Sequence, residues 1–207
     1  MHQPPPSQPS SADPGAGPGA VRAARPEDAE AIASVQQMAW QAASSPDLAA
    51  AGDFGPEQLA AVAAQWRASI ETPPTARHRV LVAVEGDPRA GTVVGVAAVA
   101  PSTEPDRDPR TASDLLVLSV APAHGRRGHA SRLLAAVADL LTGDAIAAIT
   151  AWVPDADAPL KHLLLDAGWE PDGARRELES DDARTVVEAR WHVGLALQGD
   201  GDQEPAQ

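Results

Sequence analysis

One short run of the sequence combines small residues, two arginines and the start of a helix. It follows an apolar stretch, residues 115–120, that is typical of a buried strand. In order, the run reads Gly125, Arg126, Arg127, Gly128, His129, Ala130 and Ser131. A helix N-terminus presents backbone N–H groups without intrahelical partners and the positive end of the helix dipole, and glycines let an anion approach them. The run therefore predicts a phosphate-binding turn between a strand and a helix.

Composition narrows the chemistry. The chain has 207 residues, enough for one domain with its own core, and 43% of them are hydrophobic although aromatic residues are few. It contains no cysteine, which excludes disulfides, thiolate metal ligands and cysteine nucleophiles. His124 and His129 do not have HExxH spacing, and no paired acidic motif accompanies them, so we expect no metal site.

Charge and hydropathy limit the partners. The net charge at pH 7 is −13, of which residues 1–20 carry −1 and residues 198–207 carry −3, leaving −9 for the body. An acidic body argues against nucleic-acid binding and slightly favours a cationic partner, although solubility alone also accounts for it. No apolar run of about 18 residues occurs, and no basic-then-apolar leader opens the chain. We expect a cytoplasmic monomer or homodimer that binds neither nucleic acid nor membrane.

The organisation of the chain follows from changes in hydrophobic period. Residues 1–20 and 198–207 are rich in small and polar residues, so we expect disordered tails around a domain of residues 21–197. The predicted strands are residues 21–24, 80–84, 93–100, 115–120, 145–153, 169–179 and 185–195. The predicted helices begin at Pro26, Pro56, Arg127 and Asp157, and the last two end at Gly143 and Gly168.

This order, β-α-α-β-β-β-α-β-α-β-β, predicts an α/β fold with a mixed sheet. Hairpin signals predict antiparallel pairs in the middle, and the crossover through the helix of residues 127–141 makes its flanking strands parallel. Near-continuous apolar strands indicate helices on both faces of the sheet. A Rossmann fold is disfavoured because no GxGxxG follows the first strand, and no GKS or GKT indicates a Walker A loop.

At this point the chain resembles the GNAT superfamily of acyl-CoA-dependent N-acyltransferases, over about residues 21–195. The family's pyrophosphate signature, Gln/Arg-x-x-Gly-x-Gly/Ala, begins five residues after the Val of a Val-x-Pro stretch, and here Val120-Ala121-Pro122 precedes Gly125 by that spacing. Gly128 and Ala130 match the last two small positions, whereas Gly125 replaces Gln or Arg. The first strand and helix, the hairpin at residues 91–95 and the Gly168-Trp169 segment also fit the family.

The resemblance implies a splayed sheet that takes acyl-CoA between the strands ending near Val120 and Val153. The backbone of Leu118, Ser119 and Val120 would pair with the pantetheine arm, and the N–H groups of residues 125–131 would hold the pyrophosphate, helped by Arg126 and Arg127. A phosphate at a helix N-terminus beside arginines gains charge-assisted hydrogen bonds of about 1.5–3 kcal/mol each. The side chain of His129 could reach a phosphate or simply face solvent.

The same resemblance implies a transfer of acetyl from acetyl-CoA to a primary amine of a small molecule, a peptide N-terminus or a lysine, by direct attack. Amines with a pKa near 10.4 are mostly charged at neutral pH, so a base must accept a proton. Asp114 takes the position of the catalytic Glu in the histone-acetylating branch, six residues before Val120; it could equally mark the entry of the strand. In an unbroken strand the two share a face, which a bulge would spoil.

The resemblance also implies an oxyanion donor and a general acid, and only the first has a matching group in this chain. The N–H of Val120 is the implied oxyanion donor. Many family members protonate the departing thiolate with a Tyr four residues before the Gly-Phe glycine, but that position is Leu164 and the chain has no Tyr. Either water or another side chain then supplies the proton, or the low basicity of a thiolate makes a dedicated acid unnecessary. A further alternative is an acyl-CoA-binding module with little or no turnover.

The acceptor is not specified by any motif. Tryptophans 40, 66 and 152 offer apolar walls with one polar group each, with core packing expected for Trp66 and Trp152 and an acceptor contact for Trp40. His162 lies about 200° round the helix from Leu164 and is expected to point elsewhere. We expect specificity to reside in the loop of residues 41–55 and the turn of residues 180–182.

Overall fold

A seven-stranded sheet organises the protein. The computed structural model describes residues 19–43, 55–179 and 185–196. The strands are β1 (Ala20–Ala23), β2 (Arg79–Glu85), β3 (Thr92–Pro101), β4 (Ala112–Val120), β5 (Ala148–Pro154), β6 (Glu170–Glu179) and β7 (Thr185–Gly194). The helices are α1 (Ala29–Gln41), α2 (Pro56–Glu71), α3 (His129–Gly143) and α4 (Ala158–Asp166). The predicted order of elements is confirmed.

The strands lie in the order β1-β2-β3-β4-β5-β7-β6. Every neighbouring pair is antiparallel except β4 and β5, which α3 connects and which run parallel. The sequence predicted this parallel pair from the crossover helix. It stands in the middle of the sheet, where two antiparallel halves meet.

Helices cover both faces of the sheet. Leu133, Val137 and Leu141 of α3 and Leu164 of α4 pack on one face, among buried residues of β2 to β5 and β7. Ile32 and Val35 of α1 pack on the other face, with Trp66 and Ile70 of α2 at the edge of the same cluster. The two clusters give the mixed α/β architecture that the apolar strands predict.

Local signals account for several element ends. A 3-10 turn, Pro26–Asp28, precedes α1, and the buried Asp28 accepts hydrogen bonds from the Arg25 N–H at 2.7 Å and the Arg22 guanidinium at 2.6 and 2.9 Å. The Asp157 side chain caps α4 by accepting the Leu160 N–H at 3.0 Å, as predicted. Gly168 follows α4 with φ of 81°, a conformation that favours glycine.

Some expectations concern residues outside those described. The predicted tails fall largely there, as do most of the loop of residues 41–55 and the whole turn of residues 180–182. β1 begins at Ala20, the last residue of the predicted N-terminal tail. Among the described helices, none is both long and apolar enough to cross a membrane.

The hairpin between β2 and β3 depends on Gly91. A methyl group there would overlap the Glu85 carbonyl oxygen and lie 2.6 Å from that of Asp87. We expect Gly91→Ala to lower the free energy of unfolding by about 1–3 kcal/mol, the usual cost of overpacking. The matched Gly143→Ala change at the end of α3 has open space and should raise it by up to about 1 kcal/mol. Urea unfolding of both variants measures this, and equal stabilities would contradict the steric argument.

Candidate functional site

The sheet opens between β4 and β5. These strands pair only at Ala112 with Ala148, Ser113 with Ile149 and Asp114 with Thr150. Beyond Asp114 the described strands have no further pairing with each other, and a cleft of about 320 Å³ lies between residues 115–119 and 151–154. The edge of β4 that faces this cleft is therefore available to a strand-like ligand.

A β-bulge at Leu116 accompanies this divergence. In the β3–β4 register, Ala98 pairs with Val117 and Val99 pairs with Leu115, so Leu116 has no residue opposite it. Its side chain is 61% exposed. A bulge bends its strand and increases the local twist, and this explains why β4 turns away from β5 just beyond their short ladder.

The bulge also changes which side chains share a face. Leu115 and Leu118 both pack into the core beneath α3, although they are three positions apart and would lie on opposite faces of an unbroken strand. Val120 contacts the same core, so Asp114, the neighbour of Leu115, points to the opposite face from Val120. Asp114 and Val120 would share a face in an unbroken strand, but the extra residue of the bulge shifts the alternation, so they do not.

The backbone of β4 presents its polar groups to the cleft at alternate residues. The N–H of Ala121 donates to the Val94 carbonyl on β3 at 2.9 Å. Successive residues of an extended antiparallel strand turn their N–H groups to opposite sides. The backbone groups of Val120 and Leu118 therefore face away from β3 and toward the opening, and those of Ser119 face β3.

The turn after β4 leads into the N-terminus of α3. Gly128 is its N-cap with φ of 77°, and the first intrahelical bond runs from the Arg132 N–H to the Gly128 carbonyl at 3.0 Å. The N–H groups of His129, Ala130 and Ser131 precede that bond and have no acceptor within the helix. Gly125 differs from the prediction, because its N–H donates to the Pro122 carbonyl at 3.1 Å.

The two arginines of the turn differ in their surroundings. Arg126 is exposed and has a positive φ of 56°, unusual for a side chain other than glycine. The Arg127 guanidinium lies 3.2 Å from Glu85 Oε1 at the end of β2. Arg127 thus forms an ion pair with Glu85, a carboxylate that no sequence motif connects to this turn.

His129 is directed into the protein. Its side chain is 2% exposed, with Nε2 at 2.7 Å from Glu85 Oε1 and Nδ1 at 3.0 Å from the Arg132 guanidinium. A guanidinium can only donate hydrogen bonds, so Nδ1 is the acceptor. Nε2 therefore carries the ring proton and donates a hydrogen bond to Glu85 Oε1. Both ring nitrogens are engaged, which leaves the backbone N–H as the group of His129 that faces a ligand at the helix end.

The Glu85 carboxylate contacts three nitrogen-bearing side chains beneath the turn. His124 Nδ1 lies 3.0 Å from Glu85 Oε2, opposite the contacts from His129 and Arg127. The imidazoles of His124 and His129, with a smaller contribution from Arg127, lower the pKa of Glu85 to about 2. The carboxylate is therefore ionised at neutral pH and holds β2 against the start of α3.

Replacing Glu85 should make the free energy of unfolding depend less on pH in the acidic range. We expect Glu85→Gln to lower the melting temperature by about 1–4 °C at pH 7, since a partly exposed ion pair contributes about 0.2–1 kcal/mol. A lowered pKa stabilises the folded state above the unfolded pKa, near 4.5, and this contribution is lost as pH falls toward 2. Thermal melts at pH 7, 4 and 2.5 should show the difference shrinking, and a difference that grows with acid would contradict this role.

Asp114 lies where the two strands part. It is 9% exposed, and its Oδ1 accepts from the hydroxyls of Ser102, at 2.7 Å, and Thr150. Its Oδ2 accepts the Thr103 N–H at 3.0 Å. The carboxylate thus connects the β3–β4 loop, β4 and β5 at the base of the opening.

The walls of the cleft include two tryptophans. Trp40 of α1 and Trp152 of β5 line it, and Leu164 of α4, fully buried, lies in the same wall. Core packing is confirmed for Trp66, whose Nε1 donates to Gln36 at 3.0 Å, but is wrong for Trp152. Trp152 differs because strand alternation turns it away from the core, which its neighbours Ala151 and Val153 enter. His162 is exposed and contacts the Ala158 carbonyl.

The cleft also contains a carboxylate that sequence reasoning missed. Glu188 of β7 lines it, with Oε2 accepting from Arg176 Nε of β6 at 2.7 Å. No motif marks Glu188, since only the β5–β7 and β6–β7 pairings bring it to the cleft. Across the three described ranges, no group of three or more His, Asp or Glu side chains could hold a metal ion.

Known proteins resemble this chain in sequence pattern and in fold. The model of the acetyltransferase (GNAT) family matches residues 37–169, more than half of the chain. No curated protein matches it significantly in sequence.

Solved structures share the fold at low identity. The yncA protein of Salmonella typhimurium, solved with its cofactor acetyl-CoA, is 18% identical with a TM-score of 0.64, over 89% of this chain and 98% of its own. An N-acetyltransferase from Staphylococcus aureus Mu50 is 14% identical with a TM-score of 0.65, over 86% and 99%. The ribosomal-protein-S18-alanine N-acetyltransferase of Escherichia coli is 14% identical with a TM-score of 0.60, over 88% and 97%. The divergent strands, the turn at the start of α3 and the family match agree, and the chain belongs to the GNAT family of acetyltransferases.

Proposed function

We propose that this protein transfers an acetyl group from acetyl-CoA to a primary amine by direct attack in a ternary complex. The acceptor amine belongs to a small molecule, a peptide N-terminus or a lysine. The observation that carries the proposal is the opening of the sheet beyond Asp114, with a free backbone edge on β4 and a helix N-terminus at its end.

The residues present fit acetyl-CoA. The N–H groups of His129, Ala130 and Ser131, together with the exposed Arg126, form an anion site suited to the pyrophosphate. The backbone of Leu118 and Val120 faces the cleft and can pair with an extended amide-containing chain, and the Val120 N–H can donate to a carbonyl there. When bound, acetyl-CoA supplies the acetyl group as a thioester.

Proton handling is assigned to Asp114 and to water. Asp114 is on the face of the sheet opposite Val120, and the hydroxyls of Ser102 and Thr150 surround its carboxylate. A hydroxyl can donate to the carboxylate while accepting a proton from the other side, so either can pass the proton of the amine to Asp114. The Leu164 side chain cannot donate a proton, so solvent water protonates the departing thiolate of CoA.

An acceptor screen tests the proposal. The full-length chain is incubated with acetyl-CoA and a panel of amines, amino acids and peptides, and free thiol is measured alongside the acetylated product by mass spectrometry. We expect thiol release that depends on an amine and matches product one to one. Thermal stabilisation by acetyl-CoA without transfer to any amine would overturn the proposal and favour an acyl-CoA-binding module.

A further inference from the structure

A cationic side chain bridges an aromatic ring and a carboxylate at the wall of the cleft. The Arg176 guanidinium lies 4.4 Å from the centre of the Trp152 ring, and its Nε donates to Glu188 Oε2 at 2.7 Å. Trp152 and Glu188 both line the cleft. An aromatic face beside a carboxylate is a favourable site for a positively charged group.

The ring and the carboxylate are held in place, whereas the cation is exposed. Trp152 Nε1 donates to Glu104 at 2.8 Å, and Glu104 in turn accepts from Arg190 at 2.9 Å, whose side chain is 9% exposed. The Glu188 side chain is 12% exposed, but that of Arg176 is 42% exposed. Arg176 is thus the part of this arrangement that can leave with the least loss of packing.

Strand alternation explains why these groups meet. In the β5–β7 ladder, Trp152 pairs with Arg190 and Pro154 pairs with Glu188. In the β6–β7 ladder, Arg176 pairs with the same Glu188. Trp152, Glu188 and Arg176 therefore point to one face of the sheet, opposite the core residues Ala189 and Trp191. Asp114 and Thr150 lie on this same face, where the cleft begins.

We propose that Trp152 and Glu188 form an acceptor subsite for a second positive charge, which Arg176 occupies until the acceptor displaces it. The inference rests on the proposed function and names its substrate class, a small diamine or a similar molecule with one reacting amine and one further cation. Glu188 binds the charged end by an ion pair, and Trp152 contacts it through the ring face. The net charge of −13 favours the approach of such an acceptor.

Two amines of equal chain length test the inference. Cadaverine carries a second cation that n-pentylamine lacks. We expect the wild-type protein to acetylate cadaverine with kcat/KM at least tenfold higher. Glu188→Gln should remove most of this preference by raising KM for cadaverine about tenfold, with n-pentylamine changed less than twofold. Equal kcat/KM for the two amines in the wild type would overturn the inference.

Arg176→Ala provides the opposite change. Removal of the internal cation should lower KM for cadaverine three- to tenfold. The matched control is Arg175→Ala, because Arg175 is the adjacent exposed arginine and pairs with Asp155 instead of contacting Trp152. The control should leave both amines unchanged. A higher KM for cadaverine in Arg176→Ala would show that Arg176 helps to form the site and would contradict its role as a displaceable occupant.

Calorimetry with cadaverine separates this inference from the proposed function. We expect binding to the wild-type protein that Glu188→Gln weakens about tenfold, while acetyl-CoA binding stays unchanged and the melting temperature falls by no more than about 4 °C, the cost of losing the ion pair with Arg176. Such binding without transfer to any amine would support the subsite and overturn the proposed function. Transfer to n-pentylamine without cadaverine binding would support the proposed function and overturn the subsite.

Discussion

Asp114→Asn is expected to lower kcat at least about 100-fold while changing the Kd for acetyl-CoA less than twofold. A general base contributes roughly 10²–10⁴ in rate, and asparagine cannot accept the proton of the amine. The residual rate should rise more steeply with pH than that of the wild type, because more of the acceptor amine is already neutral at higher pH. Steady-state kinetics between pH 6 and 9 measure both effects, and unchanged turnover over that range would exclude Asp114 as the base.

A control for Asp114→Asn must separate the loss of proton transfer from the loss of the buried hydrogen bonds that Asp114 accepts. Asparagine also places an NH₂ group among donors, and leaving the Thr103 N–H without an acceptor costs about 1–3 kcal/mol of folding free energy. Thr150→Val removes one donor to Asp114 but keeps the carboxylate. We expect it to lower the melting temperature with a loss in kcat below tenfold. A loss in kcat equal to that of Asp114→Asn would contradict the assignment of Asp114 as a base that either hydroxyl can supply, because the Ser102 hydroxyl and the carboxylate both remain in this variant.

Local patterns in the sequence predict most of the fold. The stripe of Leu133, Val137 and Leu141 identifies the face of α3 that packs on the sheet, and Asp157 and Gly168 mark the ends of α4. The parallel pairing of β4 and β5 follows from the intervening helix. These features depend on residues within one or two turns or strands of each other, so spacing alone is sufficient to find them.

Features created by pairing across long distances could not be predicted. The bulge at Leu116 exists only relative to β3, and it reverses the face of Asp114 with respect to Val120. Glu85 is 42 residues before Arg127, and no periodicity connects them. The strand carrying Glu188 forms the cleft because it pairs beside β5, which a list of elements does not specify.

Replacing Arg126 and Arg127 together with alanine is expected to raise the Kd for acetyl-CoA about 10–100-fold. Each charge-assisted hydrogen bond to a phosphate contributes about 1.5–3 kcal/mol, reduced here by solvent exposure. The Arg126→Ala change alone should account for most of the loss, because Arg127 shares its guanidinium with Glu85. Calorimetric titration measures the Kd, and kcat at saturating acetyl-CoA should change little because neither side chain is placed at the reacting groups.

The control and the ligand together identify which phosphate the arginines bind. Arg110→Ala removes the same charge from an exposed side chain paired with Asp108 in the β3–β4 loop, and it should change the Kd less than twofold. Dephospho-CoA keeps the pyrophosphate but lacks the phosphate on the ribose. If Arg126 and Arg127 contact the pyrophosphate, the double variant must lose the same factor in affinity for dephospho-CoA as for CoA. If the double variant binds dephospho-CoA as tightly as the wild type does, the arginines contact the ribose phosphate instead. The N–H groups at the start of α3 would then bind the pyrophosphate without them.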